Sequence, residues 1–160
     1  MIYYDFQNTK AGDIKIFAND DALLFLCMGS EFNKNIPDAE HKRTDLIARA
    51  FSELEEYFNG ERKNFDIPLE FNARHNFTRQ VFDFLLKLEF GQVVTYKELA
   101  DKINRPNSAR SVGNALAANP LPIFIPCHRV ITADKTIGGY SCGVDIKKFL
   151  LKIEGVNLKS

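Results

Sequence analysis

Short apolar runs separated by turn-forming residues fill the first part of the chain. The runs MIYYDF, DIKIFAN and ALLFLCMG are aromatic, β-branched or aliphatic, and the sequences NTKAG and NDD lie between them. Runs of this kind, bounded by Asn, Asp and Gly, are typical of strands joined by tight turns. We therefore predict a small antiparallel sheet at the start of the chain.

A helical period follows at residues 41–60. Apolar side chains recur there three and four positions apart, and the stretch ends on Asn59-Gly60, a pair that favours the end of a helix. The predicted buried face consists of Leu46, Ile47, Ala50, Leu54, Tyr57 and Phe58. We expect this helix to lie on the sheet.

Charge and composition change together near residue 71. Residues 1–71 hold 8 Lys or Arg against 14 Asp or Glu, and residues 72–160 hold 13 against 7, so net charges of −6 and +6 cancel. The mixed-charge segment at residues 61–74 is predicted to be a linker, which gives two domains, 1–71 and 72–160. A basic half suits a polyanionic partner, although an uneven solvated surface gives the same numbers.

Helices dominate the prediction for the second half. Residues 76–90 indicate a core helix that stops at Gly91. Thr95 and Glu98 are spaced as in a capping box, and after the break NRPN a further helix begins near Ser108. Two short helices joined by a tight turn are typical of a helix-turn-helix. The residues expected inside are Phe77, Val81, Phe84, Leu85 and Leu88 in the core helix, and Ile146, Phe149, Leu150 and Ile153 in a last helix at 144–155.

The second helix of the helix-turn-helix consists mostly of small residues. Arg110 is its only long cation, whereas a helix that reads base edges needs several Arg, Asn or Gln side chains. Small residues suit close packing on another helix, and they equally suit a groove in which the backbone approaches phosphates. The pattern alone leaves both interpretations open.

The run LPIFIPCHRVI places a cysteine beside a histidine after an apolar stretch. A cysteine reacts as the thiolate and needs a base or a positive neighbour. In extended chain, adjacent side chains leave on opposite faces, so Cys127 and His128 can cooperate only through a turn or a bridging water. Because most intracellular cysteines are small buried hydrophobes, a structural thiol stays open as the alternative.

Three cysteines, no recognisable secretory signal and no long apolar run favour a soluble intracellular protein with reduced thiols. We expect it in the cytoplasm, or in the nucleus if the source is eukaryotic.

Four motifs in order, VTYKELA, ARSVGNALAANP, IPCHRV and GGYSCG, closely resemble the O6-alkylguanine-DNA alkyltransferases, also called methylated-DNA-protein-cysteine methyltransferases. The resemblance is strong over residues 76–157 and rests on layout alone over residues 1–71. It implies an α+β fold of two small domains: an N-terminal ribonuclease-H-like sheet with a helix, and a mainly helical, winged-helix-like C-terminal domain with the helix-turn-helix. It also implies single-turnover transfer of the alkyl group of O6-alkylguanine in DNA to a protein cysteine, with O4-alkylthymine as a further candidate substrate.

The resemblance assigns the reacting groups residue by residue. Cys127 is the alkyl acceptor, His128 is the base that acts through a bridging water, and Glu154 orients His128. Tyr96 donates to the guanine edge at N3. Arg110 enters the base stack when the damaged base flips out of the duplex.

The remaining assignments concern the pocket. By resemblance, the Ser141 N–H faces O6, Tyr140 walls the pocket, and the carbonyls of Cys127 and Val130 hold the exocyclic amine. The loop into the site is shaped by Asn119 and Pro122. Arg129 completes the motif, with a buried ion pair as an equally good role.

Two departures from the family pattern bear on the pocket and on metal binding. Cys142 stands where glycine is usual, and it either fills space or narrows the pocket against bulky adducts. Some relatives hold a structural zinc, but Cys27, His41 and His75 are too few and too poorly spaced for a closed site, so we predict no metal.

The implied partner is duplex DNA, bound through the minor groove. We expect the protein to act as a monomer, to use no cofactor and to bind no membrane. Three other functions compete with transfer: lesion binding without transfer, transcriptional regulation, and thiol-dependent hydrolysis.

Overall fold

A computed structural model describes residues 1–73 and 75–158, which fall into two units, Met1–Phe71 and Asn72–Ser160. The first unit contains a sheet and one long helix, and the second is mainly helical. No helix in these described residues is long and apolar enough to cross a membrane.

The sheet of the first unit has four strands: β1 (Tyr3–Thr9), β2 (Gly12–Ala18), β3 (Leu23–Met28) and β4 (Glu40–His41). Their order is β3-β2-β1-β4. The first three pair antiparallel, as predicted, but β4 pairs parallel with β1, with Tyr3 opposite Glu40. The parallel edge strand β4 was not predicted, because a two-residue strand leaves no alternating pattern in the sequence.

Helix α1 (Asp45–Phe58) begins later than its apolar period suggests. The hydroxyl of Thr44 accepts from the Ile47 N–H at 3.2 Å and fixes the start, and Gly60, at φ +77°, follows the end. The buried face is Ile47, Ala50, Phe51, Glu53, Leu54, Tyr57 and Phe58, so Phe51 and Glu53 join the predicted set and Leu46 leaves it.

Most of the predicted linker, residues 61–71, belongs to the first unit instead. The N–H of Leu23 donates to the Pro68 carbonyl and the N–H of Glu70 donates to the Leu23 carbonyl, both at 2.9 Å. Leu69 thus forms a parallel bridge to the edge of β3. Arg74, the last residue of the predicted linker, lies outside the described residues.

The second unit contains α2 (Asn76–Lys87), β5 (Val94–Thr95), α3 (Tyr96–Lys102), α4 (Ala109–Ala117), β6 (Val130–Ile131) and α5 (Val144–Ile153). Strands β5 and β6 pair parallel, with Val94 opposite Val130 and Thr95 opposite Ile131. Two predicted helix faces were partly wrong. Helix α2 buries Val81, Phe82 and Leu85, and α5 buries Lys147, Leu150 and Leu151.

Helices α3 and α4 form the predicted helix-turn-helix. The capping box is confirmed: the Glu98 N–H donates to the Thr95 hydroxyl at 3.0 Å, and the Thr95 N–H donates to Glu98 Oε1 at 3.1 Å. Asn104 and Asn107 take left-handed backbone angles, φ 60° and 64°, in the turn. Ser108 directly precedes α4, as predicted, and its side chain makes no capping hydrogen bond.

Candidate active site

Cys127 lies at the end of a buried loop that side-chain hydrogen bonds hold in place. The N–H of Leu121 donates to Asn119 Oδ1 and Asn119 Nδ2 donates to the Ile125 carbonyl, both at 2.9 Å. Every residue from 121 to 131 is buried, Pro122 included. Asn119 is thus hydrogen-bonded to both ends of the segment 121–125, and Pro122 is buried within it.

Cys127 and His128 do not lie in extended chain. They lie in a single 3-10 turn, Cys127–Arg129, directly before β6. Cys127 is 4% exposed and His128 is fully buried. The turn removes the geometric objection that an extended strand raises, because adjacent side chains no longer leave on opposite faces.

Behind the turn, one carboxylate serves several donors. His128 Nε2 lies 2.7 Å from Glu154 Oε2, and the Gly91 N–H donates to Glu154 Oε1 at 2.9 Å. Arg129 donates to Glu154 from Nε at 2.9 Å and from Nη2 at 3.1 Å, and from Nη1 to the Leu88 carbonyl at 2.7 Å. Arg129, predicted among the substrate-binding and DNA-binding residues, is thus buried in an ion pair, which favours its structural role.

Burial sets the resting protonation states of the turn. It raises the pKa of the Cys127 thiol, against hydrogen bonds with Asn119 and Tyr140 and the positive charge of Lys147. It also lowers the pKa of His128, against the hydrogen bond and the charge of Glu154. The resting site therefore pairs a neutral thiol with a neutral imidazole.

A cavity of about 230 Å³ opens onto the thiol. The thiol donates to the Tyr140 hydroxyl across 3.7 Å. The cavity is lined by Tyr96, Gly113, Leu116, Ala117, Cys127, Gly139, Tyr140 and Ser141. Gly113 and Ala117 of α4 contribute to one wall. Besides close helix packing and approach to phosphates, the small residues of this helix therefore have a third explanation, which is that they leave room for a ligand.

Nine of the eleven predicted site residues fall into three groups, and the other two, Asn119 and Pro122, lie in or beside the buried loop before Cys127. Four of them line the cavity: Cys127, Tyr96, Tyr140 and Ser141. A second group lies buried behind the cavity: His128, Arg129, Val130 and Glu154. Arg110 is exposed on α4 and does not line the cavity. Cys142 is buried and is not a lining residue either, so the geometry gives no support to the narrowing role.

Sequence reasoning missed Lys147. This side chain is 1% exposed, and its ammonium donates to the carbonyls of Val130 at 2.7 Å and Gly139 at 3.1 Å. Burial lowers its pKa to about 8, and the negative charge of the Cys127 thiolate opposes that shift. The available signal was position, because Lys147 lies three and four residues before Leu150 and Leu151 on the apolar stripe of α5.

Metal ligands do not gather anywhere in the part of the chain that the structure describes: no three His, Cys, Asp or Glu side chains come together there.

The fold and the cavity define a class of protein in which a helix-turn-helix accompanies a buried cysteine that lines a cavity. Residues 76–156 match the 6-O-methylguanine DNA methyltransferase, DNA binding domain, and residues 2–71 match the ribonuclease-like domain of the same family. These two matches cover nearly the whole chain. The chain therefore belongs to the 6-O-methylguanine DNA methyltransferase family, which confirms the predicted family.

Individual relatives agree with this assignment. The chain is 35% identical to the constitutive methylated-DNA--protein-cysteine methyltransferase of Bacillus subtilis, over 99% of both chains. It is 36% identical to a methylated-DNA--protein-cysteine methyltransferase of Methanosarcina acetivorans, over 96% of this chain and 99% of the relative. It is also similar to Mycobacterium tuberculosis OGT in a crystal structure with DNA: the TM-score is 0.86 and the identity 31%, over 95% of this chain and 92% of the other. The predicted α+β fold and the predicted methyltransferase class are thus confirmed.

Proposed function

We propose that this protein repairs DNA by transferring the alkyl group of O6-alkylguanine to the sulfur of Cys127, one group per molecule. The observation that carries the proposal is the buried thiol of Cys127 at the cavity, with His128 and Glu154 behind it. The relatives named as methyltransferases, and the DNA-bound structure of one similar protein, support DNA as the partner.

Proton removal precedes the transfer. Because Glu154 binds Nε2 of the neutral imidazole, that nitrogen keeps its proton, and Nδ1 is the basic atom. A water relays the thiol proton of Cys127 to Nδ1, and Glu154 stabilises the imidazolium that forms. A thiol that is neutral at rest needs such a base, held in place by a third group, to become a nucleophilic thiolate.

The thiolate then displaces guanine from the alkyl carbon. A sulfur–carbon bond forms, the carbon–O6 bond breaks, and its electron pair stays on the base. Burial and the negative charge of Cys127 raise the pKa of Tyr96, so its phenol keeps its proton and can donate to guanine N3. Ser141 lines the cavity, and its N–H is the donor proposed to face O6. The carbonyls of Cys127 and Val130 complete the proposed binding of the base.

Access to the lesion depends on the helix-turn-helix. A base in a duplex must be extruded before a buried thiol can reach it. Arg110, exposed on α4, is the side chain proposed to enter the stack from the minor groove. The place of action is then the cytoplasm, or the nucleus in a eukaryote. The thioether product is stable, so each molecule acts once.

Intact mass spectrometry tests the proposal. After incubation with a duplex containing O6-methylguanine, we expect the protein to gain the mass of one methylene, saturating at one per molecule. Cys127→Ser should gain nothing. Cys142→Ser, which removes an equally buried thiol that does not line the cavity, should react like the wild type.

The competing functions give different results in the same experiment. Tight binding of the lesion without a mass change would indicate lesion binding alone. Release of dealkylated DNA in excess over protein would indicate hydrolysis. Either result would overturn the proposal.

A further inference from the structure

A second cavity, which the proposed transfer does not use, lies along α5. Its volume is about 360 Å³, and it shares no lining residue with the cavity at the thiol. Clefts of this size usually hold small molecules, whereas a stable protein partner needs a contact of about 800 Å² on each side. The apolar part of its wall consists of Ile137, Leu151, Val156 and Leu158.

The end of α5 fixes part of this wall. The Val156 N–H donates to the Leu151 carbonyl at 2.9 Å and the Gly155 N–H donates to the Lys152 carbonyl at 3.0 Å, with Gly155 at φ +75°. This is a Schellman motif, in which the residue after the glycine packs against the last turn of the helix. Leu151 is 2% exposed. The apolar wall is therefore preformed, and two of the helix-end carbonyls that would repel an anion are already hydrogen-bonded.

Two lysines of α5, Lys148 and Lys152, line the same cavity with exposed side chains. They lie four residues apart, so their like charges repel each other on one face of the helix. Within the part of the chain that the structure describes, neither ammonium has an acidic partner. An anion between them would relieve the repulsion, while their methylene stems extend the apolar wall.

An apolar cavity bordered by two unpaired cations fits a molecule with an apolar body and one anionic end. A carboxylate fits better than a phosphate monoester, because a single charge costs less to bring against an apolar wall than a nearly double one.

We propose that the second cavity binds an amphipathic carboxylate, with its apolar chain against Leu151 and Val156 and its carboxylate between Lys148 and Lys152. The proposal does not depend on the proposed transfer, because none of these residues lines the cavity at Cys127.

The first test locates the site with decanoate, used below the concentration at which it forms micelles. In a titration followed by two-dimensional NMR of the backbone amides, decanoate should bind saturably and shift the signals of Ile137, Leu151 and Val156 most. Acetate keeps the charge but lacks the chain, and at the same concentrations it should leave these signals unchanged. Acetate binding as tight as that of decanoate, or decanoate shifts centred on another surface, would overturn the proposal.

The second test removes the charge. Lys148→Gln combined with Lys152→Gln should weaken the binding of decanoate about tenfold, and decanol, which is uncharged, should bind this variant and the wild type alike. Lys97→Gln combined with Lys102→Gln removes two exposed lysines of α3 and is the matched control, which should bind decanoate like the wild type. Equal affinity of the α5 variant and the wild type for decanoate, or an equal loss in the control, would contradict the assignment. Cys127→Ser should bind decanoate normally, so a failure to accept an alkyl group would count against the proposed function alone.

Discussion

Glu154 connects the proposed base to the structural core through a single carboxylate. Its two oxygens are hydrogen-bonded to His128, to Arg129 and to the Gly91 N–H. The side chains of Glu154, His128 and Arg129 are all buried. Removing one member of a buried ion pair leaves an uncompensated charge, which costs far more than the loss of an exposed pair. The stability of the fold and the proposed proton transfer therefore depend on the same residue.

Glu154→Gln should be strongly destabilising. We expect the free energy of unfolding to fall by about 3 kcal/mol or more, because the Arg129 guanidinium loses its counter-charge. Asp83→Asn is the control, since the pair of Asp83 with Arg79 is half exposed and should change stability by less than about 1 kcal/mol. Urea denaturation measures both, and equal small losses would contradict the assignment.

The role of a single residue was predictable from the sequence where the residue lies in a recognisable motif. It was not predictable where the role depends on burial in the folded structure. Cys127 and His128 stand in a recognisable sequence, and the resemblance supplied Glu154. Nothing in the motif decided between a DNA contact and a core ion pair for Arg129; only its bond to Glu154 does so. Lys147 was missed because a lysine on an amphipathic helix is normally solvated.

Helix α4 illustrates the scale of the element. Its residues Gly113, Leu116 and Ala117 line the cavity, while Val112 and Ala115 pack inward. A methyl group at Gly113 would lie 3.8 Å from Cε1 of Tyr96, an ordinary van der Waals contact. Glycine here is therefore not needed for the packing of the protein, and the space it leaves belongs to the cavity.

Gly113→Ala should stabilise the protein against unfolding and at the same time slow alkyl transfer. Helix propensity favours alanine over glycine by about 1 kcal/mol, so the unfolding free energy should rise. The added methyl group should slow transfer from O6-benzylguanine more than transfer from O6-methylguanine. Ser111→Ala, on the exposed side of α4, controls for propensity. Unchanged selectivity between the two substrates would show that this wall does not contact the alkyl group.

Elements were predictable where local chemistry marks their ends. Thr95 with Glu98 and Asn59 with Gly60 mark helix boundaries that the structure reproduces within a few residues. Strand β4 and the bridge at Leu69 were not predictable, because pairing to a distant strand supplies what their own sequences lack.

At the scale of the whole molecule, the cavity and the proposed DNA surface are separate features of the second unit. Arg110 is exposed and outside the cavity, whereas Cys127 lies within it. A free base can reach the thiol without extrusion, but a base in a duplex cannot. The two substrates therefore report on different parts of the protein.

Arg110→Ala should slow repair of a duplex at least tenfold, because extruding one base from the stack costs a few kcal/mol. Transfer from free O6-benzylguanine, which needs no extrusion, should stay within about twofold of the wild type. Arg79→Ala, an exposed cation on α2, is the matched control and should affect neither substrate strongly. Single-turnover kinetics on both substrates measure the effect. Equal losses on both would contradict a role in extrusion.

The pairing of two residues of β5 with two of β6 determines where the chain can tolerate an insertion or a deletion. Val94 and Thr95 pair with Val130 and Ile131, so this pairing fixes the start of α3 relative to the end of the turn Cys127–Arg129. A shift of one residue would turn every side chain of either strand to the opposite face. Insertions in the turn at residues 103–108 leave this register intact. A single-residue insertion between Arg129 and Val130 would shift the register and so move Cys127 relative to Tyr96, which lines the same cavity.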